Sequence, residues 1–216
     1  MHRKVRRYIE KKQLLDDDAK VLVALSGGAD SVALLRILTR LGYHCTAAHC
    51  NFHLRGEESM RDEEFARALC AGLGIGLTVA QFNTATYAKE KKISIEMAAR
   101  ELRYSFFEET AVAEGATAIA VAHHRDDVAE TILLNLKRGT GIRGLCGMRA
   151  KSENPMGGEI PVIRPLLCTT RDYIEHYLRD IRHLDWVNDS TNTDTTIQRN
   201  AIREQLASYS KAEIEH

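Results

Sequence analysis

The chain has 216 residues, enough for one large domain with a hydrophobic core of its own. Its 30 lysine and arginine residues balance its 30 aspartate and glutamate residues, so no overall field attracts a polyanion and any nucleic acid must bind at a local patch or through further domains. The five cysteines include no Cys-x-x-Cys pair and form no even disulfide framework, which is typical of a reducing compartment. The sequence shows no signal-like or membrane-spanning apolar run. Together these observations predict a cytoplasmic protein without membrane contacts.

The first segment of the chain is strongly basic. Between positions 2 and 12, Glu10 is the one acidic residue, against the basic residues Arg3, Lys4, Arg6, Arg7, Lys11 and Lys12. Such a run is typical of a nucleic-acid-binding patch. It is equally typical of an amphipathic helix, here within residues 1–15, that turns Val5, Tyr8 and Ile9 inward. The sequence leaves both interpretations open.

The most informative motif follows an apolar stretch that predicts a strand at Lys20–Leu25. The loop after this strand consists of Ser26, Gly27, Gly28, Ala29, Asp30 and Ser31. A helical pattern then runs from Ser31 to Leu41. A strand, a glycine loop and a helix in this order present backbone N–H groups to a phosphate, and the glycines permit close approach of the anion. The sequence therefore predicts a phosphate site here.

The composition of this loop narrows the type of site. Its two serines add hydroxyl donors, and Asp30 is placed where a carboxylate could hold Mg²⁺ against phosphates. No lysine follows the glycines, so this is not the phosphate loop of the common NTPases. The loop resembles the PP-loop of the N-type ATP pyrophosphatases, which cleave ATP between the α- and β-phosphates. The plainer alternative is that Asp30 or Ser31 only caps the following helix.

Strands and helices alternate along the first 138 residues. Strands are predicted at Lys20–Leu25, His44–His49, Leu77–Phe82 and Thr117–Ala122, and helices at Ser31–Leu41, Glu58–Leu73, Ser94–Glu114 and Asp126–Arg138. This alternation predicts an α/β fold, a doubly wound, mostly parallel sheet of Rossmann-like type with helices on both faces. Because the motifs follow strands, they are expected to meet at the carboxyl edge of that sheet.

The pattern changes towards the C-terminus. The sequence predicts a hairpin or loop at Met148–Glu159, a last strand at Ile160–Leu167 and helices at Thr169–Asp180 and Ile197–Lys211. We therefore expect a nucleotide-binding domain over residues 1–150 and a small, mainly helical extension over residues 151–216.

A second motif runs from His123 to Thr131, after the fourth predicted strand. Asp127 and Glu130 are three residues apart in a first helical turn, so they share a face near the positive end of the helix dipole. One interpretation is a pocket whose carboxylates bind and orient an amine. The alternatives are an acidic, capped helix start and a metal site made of neighbouring side chains, namely His123, His124, Asp126 and Asp127.

Arginines recur in three further places. Arg100 and Arg103 lie three residues apart on the helix predicted there, and Arg199 and Arg203 lie four residues apart. Arg55 belongs to the polar loop after the second predicted strand. Each could contact phosphate or a nucleotide. Ordinary surface ion pairs or solvated helix faces explain them equally well.

Seven motifs occur in order between Lys20 and Arg203. They are Ser-Gly-Gly-Ala-Asp-Ser, His-Leu-Arg-Gly-Glu-Glu-Ser, Ala-Arg-x-x-Arg-Tyr, Ala-His-His-Arg-Asp-Asp-x-x-Glu-Thr, Arg-Gly-Thr-Gly-Ile-x-Gly-Leu, Arg-Pro-Leu-Leu, and Asp-Ser-Thr-Asn with Arg-Asn-Ala-Ile-Arg. Together they resemble the N-terminal catalytic domain of the tRNA(Ile)-lysidine synthases. The family carries further C-terminal domains that grip the tRNA, and this sequence is expected to lack them.

The resemblance implies a ligase that joins free L-lysine to C2 of the wobble cytidine in tRNA(Ile) with a CAU anticodon. The C2 carbonyl oxygen attacks the α-phosphate of ATP, pyrophosphate leaves, and the ε-amine of lysine displaces AMP. The implied cofactors are ATP, bound by the loop Ser26–Ser31, and Mg²⁺, held by Asp30. The implied catalytic residues are Asp30, Arg100, Asp127 and Glu130.

The resemblance also implies binding roles. His123, Asp127 and Glu130 would bind lysine, and the contacts to tRNA or phosphate would come from Arg55, Arg103, Arg199 and Arg203. One alternative is another enzyme with the same loop, such as a tRNA thiolase, which needs a reactive or cluster-binding cysteine pair. Another is a non-catalytic adenine-nucleotide-binding module, which needs the loop but not the acidic pair. The oligomeric state stays open, with a homodimer among the alternatives.

Overall fold

The computed structural model describes residues 1–137, 139, 147–181 and 184–187. Within these residues, six strands form one sheet in the order β3-β2-β1-β4-β6-β5. The strands are β1 (Lys20–Ala24), β2 (His44–Asn51), β3 (Leu77–Gln81), β4 (Ala118–Ala120), β5 (Lys151–Ser152) and β6 (Val162–Ile163). All neighbours pair in parallel except β5, which pairs antiparallel with β6. The predicted mostly parallel sheet is confirmed.

Helices connect the parallel strands. They are α1 (His2–Lys12), α2 (Ala29–Arg40), α3 (Glu57–Leu73), α4 (Thr84–Lys91), α5 (Ile95–Glu114), α6 (Arg125–Lys137) and α7 (Arg171–His176). A 3₁₀ turn over Pro165–Cys168 precedes α7, and a π-helical turn over Tyr177–Ile181 continues it. No helix in the described ranges is both long and apolar enough to cross a membrane.

The helices cover both faces of the sheet, as predicted. Successive side chains of a strand point to opposite faces, and β1 supplies both layers. Val21 and Val23 belong to one core cluster, together with buried residues of α1, α2, α3 and α7. Leu22 belongs to a second cluster, formed with the buried aromatic residues of α5. The central strand is therefore buried on both sides, which explains its continuous apolar sequence.

The chain order places a switch point beside β1. This strand pairs with β2 on one side and with β4 on the other, so the segments that follow β1 and β4 leave the same edge in adjacent positions. In open α/β sheets, ligands bind outside the carboxyl ends of the strands at such a point. The two motifs singled out in the sequence are the segments after β1 and β4.

Several elements differ from the predictions; β4, for example, covers Ala118–Ala120 where Thr117–Ala122 was predicted. Helix α4 was not predicted, because its short polar sequence buries only Thr84 and Ala88 and gives almost no periodicity. Helix α2 begins two residues earlier than predicted, at Ala29. The last strand shrinks to Val162–Ile163, because Pro165 starts a 3₁₀ turn. The helix predicted at Thr169–Asp180 begins at Arg171 and changes to a π-helical turn after His176.

Three further predictions concern the C-terminal part of the chain. Strand β5 lies inside the range Met148–Glu159 that was predicted as a hairpin or loop, and its antiparallel partner β6 lies beyond that range, in the predicted last strand. The helix predicted at Ile197–Lys211 lies outside the described residues. The division at residue 150 stays a prediction, although β4 and β6 pair across it within one sheet.

Candidate active site

The loop after β1 is held in shape by its own serines. The Ser31 hydroxyl donates to the carbonyl of Gly28 at 2.9 Å and accepts from the Ser26 backbone N–H at 3.2 Å. The two serine hydroxyl oxygens are 3.1 Å apart. Gly27 has a φ of +90°, a conformation that favours glycine. The sequence folds this way because the turn needs a residue without a side chain and two short hydroxyls.

The loop opens into the N-terminus of α2. Gly28 is the N-cap residue, and no side-chain hydrogen bond from the described residues caps the helix. The first intrahelical bond is donated by Val32 to the Gly28 carbonyl, at 3.0 Å. The N–H groups of the first turn, at Ala29, Asp30 and Ser31, therefore point towards the carboxyl edge of the sheet, where an anion can accept from them.

Asp30 lies at the centre of the site. Its Oδ2 atom accepts a hydrogen bond from the Arg171 guanidinium and lies 3.7 Å from His124 Nε2. Its Oδ1 atom is buried and has no hydrogen-bond partner among the described residues. Burial raises the pKa of Asp30, while Arg171 and His124 act in the opposite direction. One oxygen is thus held by two cationic groups and the other is available to a ligand.

His124 connects Asp30 to the second motif. Its side chain is buried, with Nε2 3.4 Å from Asp127 Oδ2 and Nδ1 3.4 Å from Asp126 Oδ2. Burial disfavours the charged ring, but the carboxylate of Asp126 beside Nδ1 and the charges of Asp127 and Asp30 outweigh it, so the pKa of His124 is raised. Three carboxylates around one imidazole favour the imidazolium form.

Asp126 joins α6 to α7. Its Oδ2 atom accepts from the backbone N–H of Arg171 at 2.8 Å, and the Arg125 N–H donates to the Thr169 carbonyl, also at 2.8 Å. Burial acts to raise the pKa of Asp126, but its bonds with His124 and Arg171 lower it overall. This carboxylate therefore fixes the start of α7, and with it the arginine that reaches Asp30.

The acidic pair Asp127 and Glu130 belongs to the first turns of α6, next to this network. Asp127 and Glu130 are both buried, with exposures of 7% and 1%. Asp127 Oδ2 accepts from the His124 backbone N–H at 2.9 Å, so this residue does cap its helix, as one interpretation of the sequence expected. His123 beside them is partly buried. Buried carboxylates on one helix face beside a phosphate loop could bind a cation. Their role in binding lysine stays a prediction.

The metal interpretation of the second motif finds no support. Among the described residues, no group of three or more His, Cys, Asp or Glu side chains is arranged to hold a metal ion. Adjacent residues of α6 point in different directions, and Asp126 and Asp127 are occupied with Arg171 and His124.

The predicted arginines have different surroundings. Arg55 is paired with α3, where its guanidinium lies 2.8 Å from Asp62 and 3.7 Å from Glu58. Arg100 and Arg103 are in the second and third turns of α5, stacked over the rings of Tyr104 and Phe52 at 5.0 and 5.2 Å, respectively. The structure therefore gives Arg55 a local partner within its own loop and helix.

The remaining two arginines, Arg199 and Arg203, lie outside the described residues, so their contacts stay predictions.

One known protein family matches almost the whole chain. The sequence profile of the PP-loop domain family matches residues 1–209. The chain belongs to the PP-loop domain family. The site described above is therefore built around the loop that gives the family its name, and the resemblance seen in Ser26–Ser31 is confirmed.

Curated relatives carry a more specific name. The chain is similar to proteins named tRNA(Ile)-lysidine synthase from Bacteroides thetaiotaomicron, with 58% identity over 206 residues, and from Parabacteroides distasonis, with 55% over 199 residues. These alignments cover 95% and 92% of this chain but 46% and 44% of the relatives. The chain thus spans a little under half the length of the curated relatives it matches.

Solved PP-loop structures confirm the fold. The U34-tRNA thiolase NcsA from Methanococcus maripaludis superposes with a TM-score of 0.71 at 18% identity, covering 95% of this chain and 71% of that chain. The NMN synthetase from Francisella tularensis superposes with a TM-score of 0.62 at 14% identity, covering 99% and 87%. At these identities the likeness concerns the fold alone.

Arg171 is the residue of this PP-loop site that the sequence interpretation missed. It follows the cap residue Thr170, whose hydroxyl accepts from the Tyr173 N–H, after a strand that ends at the same edge as β1 and β4. The Thr-Thr-x-Asp start of the predicted helix was the available signal. The partner of Arg171 was not readable, because Asp30 lies 141 positions earlier in the chain.

Proposed function

We propose that the chain catalyses the ATP-dependent ligation of free L-lysine to C2 of the wobble cytidine in tRNA(Ile) with a CAU anticodon. The observation that carries the proposal is the junction of the PP-loop carboxylate Asp30 with the buried pair Asp127 and Glu130 through His124. The relatives named tRNA(Ile)-lysidine synthase, at 58% and 55% identity, support the same reaction. Substrates of this kind place the enzyme in the cytoplasm.

ATP binds at the loop in this proposal. The first-turn N–H groups of α2 and the hydroxyl of Ser26 donate hydrogen bonds to the phosphate oxygens of ATP. The free, buried Oδ1 of Asp30 fits a Mg²⁺ ion, which usually takes one or two carboxylates together with substrate phosphates. When bound, Mg²⁺ supplies positive charge that stabilises the departing pyrophosphate. Arg171 and His124 hold further positive charge beside Asp30.

Adenylylation makes the cytidine reactive. The C2 carbonyl oxygen is a poor leaving group until it is bonded to the α-phosphorus, after which AMP can leave. Arg100 and Arg103 are suited to contact phosphate or nucleotide, because they lie in the N-terminal half of α5, which begins at the carboxyl edge of the sheet. Their guanidinium groups already lie over aromatic rings, which fixes their direction.

Lysine attacks in the second half-reaction. Its ammonium group, with an ordinary pKa of about 10.4, must lose a proton before it becomes a nucleophile. Asp127 and Glu130 bind and orient this ammonium group, with His123 beside them, and a carboxylate of the pair accepts the proton. The products are lysidine, AMP and pyrophosphate.

Sulfur transfer is the reaction of one structural neighbour, but the thiols described here do not favour it. Burial raises the pKa of Cys45 to about 11 and that of Cys50 to about 12. The pKa of Cys70 is raised to about 11 for the same reason, and that of Cys168 is also raised. A thiol that transfers sulfur or binds a cluster must be a thiolate, so these four groups are unsuited to it.

The test is lysine-dependent chemistry on a defined RNA. The protein is incubated with ATP, Mg²⁺, radiolabelled lysine and a tRNA(Ile) transcript with a CAU anticodon. Lysine incorporation with one AMP released per lysidine is expected, and a transcript with uridine at the wobble position serves as the matched control. Equal incorporation of lysine into both transcripts, or AMP release that does not depend on lysine, would refute the proposal.

A further inference from the structure

A basic groove lies between α1, the 3₁₀ turn and α7. It encloses about 430 Å³ and its lining includes four cations and two tyrosines, Arg3, Lys4, Arg7, Lys11, Tyr8 and Tyr173. Lys4, Arg7 and Lys11 recur at intervals of three and four residues, so they form one stripe along α1 that is about 10 Å long. The Lys4 ammonium lies 5.6 Å from the centre of the Tyr173 ring.

The charge of this groove is not neutralised locally. Within the part of the chain that the structure describes, no carboxylate lies at ion-pair distance from Arg3, Lys4, Arg7 or Lys11. The helix that carries them is fixed, because Val5 and Ile9 on its other face are fully buried. A rigid row of unpaired cations on a chain of zero net charge is a local site for an anionic polymer.

The groove and the proposed catalytic carboxylate share one short helix. Tyr173 lines the groove, and Arg171, two residues earlier on α7, reaches Asp30. Residues two apart on a helix lie on different faces, so α7 presents one face to the groove and another to the PP-loop site. The tyrosine rings at the floor of the groove offer flat surfaces against which a sugar or base can pack.

We infer that this groove binds the sugar-phosphate backbone of the tRNA substrate. The inference rests on the proposed function for the identity of the RNA, whereas the charge pattern alone selects a polyanion. An anionic membrane fits less well, because interfacial helices insert an apolar face and that of α1 is already buried in the core. Both interpretations of the N-terminal segment then hold, since one face of the helix packs and the other binds.

The test compares two double variants of the protein with equal charge change. Arg7→Gln with Lys11→Gln removes two cations from the groove. Lys20→Gln with Arg40→Gln removes two exposed cations that do not line the groove, at the start of β1 and the end of α2. Affinity for the tRNA transcript is measured by fluorescence anisotropy over a range of salt concentrations. Thermal unfolding checks that both variants fold.

The groove variant should bind tRNA about tenfold more weakly, and its log–log salt slope should fall by about 1.4–1.8, as expected for two lost phosphate contacts. At saturating tRNA, the rate of lysidine formation should match that of the parent protein, so that only the KM for tRNA changes. The control variant should keep the parent's affinity and slope.

Three results would overturn the inference. The groove variant could bind tRNA like the parent, both variants could lose affinity equally, or the groove variant could lose only binding to phosphatidylserine vesicles, which would assign the groove to lipid. The binding measurement needs no turnover. A parent protein that binds tRNA at the groove but forms no lysidine would refute the proposed function while leaving the groove assigned to RNA.

Discussion

Replacing Asp30 by asparagine separates the catalytic role of this carboxylate from any structural one. The change keeps the shape of the side chain but removes its charge from the site of phosphoryl transfer. Loss of one preorganised charged group from such a site costs about 10²–10³ in rate, or about 2.7–4 kcal/mol of transition-state stabilisation. We expect pyrophosphate release by Asp30→Asn to fall by about that factor.

The same change should not weaken the fold. Burial raises the pKa of Asp30 above its ordinary 3.8, despite the opposing charges of Arg171 and His124. An acid whose pKa is raised by folding is held at a cost when ionised, so its contribution to stability is greatest below pH 3.8 and is lost as the pH rises through the folded pKa. Asparagine avoids this cost. The unfolding temperature of Asp30→Asn at pH 7 should therefore equal or exceed that of the parent.

Two measurements test this reasoning. Pyrophosphate release is followed by a coupled assay, and unfolding by calorimetry at pH 7 and near pH 4, where the difference between variant and parent should shrink. Asp17→Asn, an exposed change in the turn before β1, is the matched control and should alter neither quantity. Near-parental pyrophosphate release by a folded Asp30→Asn would refute the metal-binding role. A large loss of stability at pH 7 would refute the electrostatic argument.

Three further predictions concern the neighbouring groups. Glu130→Gln should raise the KM for lysine about tenfold or more, because a charged hydrogen bond is worth about 1.5–3 kcal/mol, and should leave the KM for ATP unchanged. Adenylylated tRNA should accumulate and be converted to product by excess lysine. A rise in the KM values for both lysine and ATP would mean that Asp127 and Glu130 are structural. Asp126→Asn should lower the pKa of His124, which can be measured by NMR titration of the imidazole ring. It should also remove stability that is present below pH 6.5 and lost as the pH rises through the folded pKa. An unchanged titration of His124 would contradict the proposed network of charges. Replacing every cysteine by serine or alanine should preserve lysidine formation but reduce stability, since buried cysteines pack as small hydrophobic residues. The positions are Cys45, Cys50, Cys70, Cys146 and Cys168. Loss of lysidine formation in a folded variant would instead favour sulfur transfer.

Local signals made the central sheet predictable. The strand at Lys20–Ala24 is apolar on both faces and ends at a glycine loop, so its place in a parallel sheet could be read directly. Helix α4 carried no such signal, since its start depends on one side chain, Asn83, which accepts from the Thr86 N–H. Propensity and periodicity are both weak over so short a helix, which has eight residues.

The parts of the site that could not be predicted depend on long-range pairing. Topology alone placed Asp30 and Asp127 near each other, because both follow adjacent parallel strands. The contact of Asp30 with Arg171 joins positions 141 residues apart, and no periodicity records it. Asp127 shows a different limit. The sequence offered capping and ligand binding as alternatives, and the structure shows that one oxygen already caps the helix.

The electrostatics of the carboxyl edge explain why these groups are found together. Asp30, Asp126 and Asp127 surround one imidazole, and the arrangement would be strongly repulsive without His124 and Arg171. Burial raises the pKa of Asp30 against the opposing charges of Arg171 and His124, whereas the surrounding carboxylates raise the pKa of His124 against the effect of burial. In the proposed function, phosphates and a divalent cation would add both signs of charge in balance. The mixed charges of this edge should therefore favour binding of the pair over binding of either ion alone.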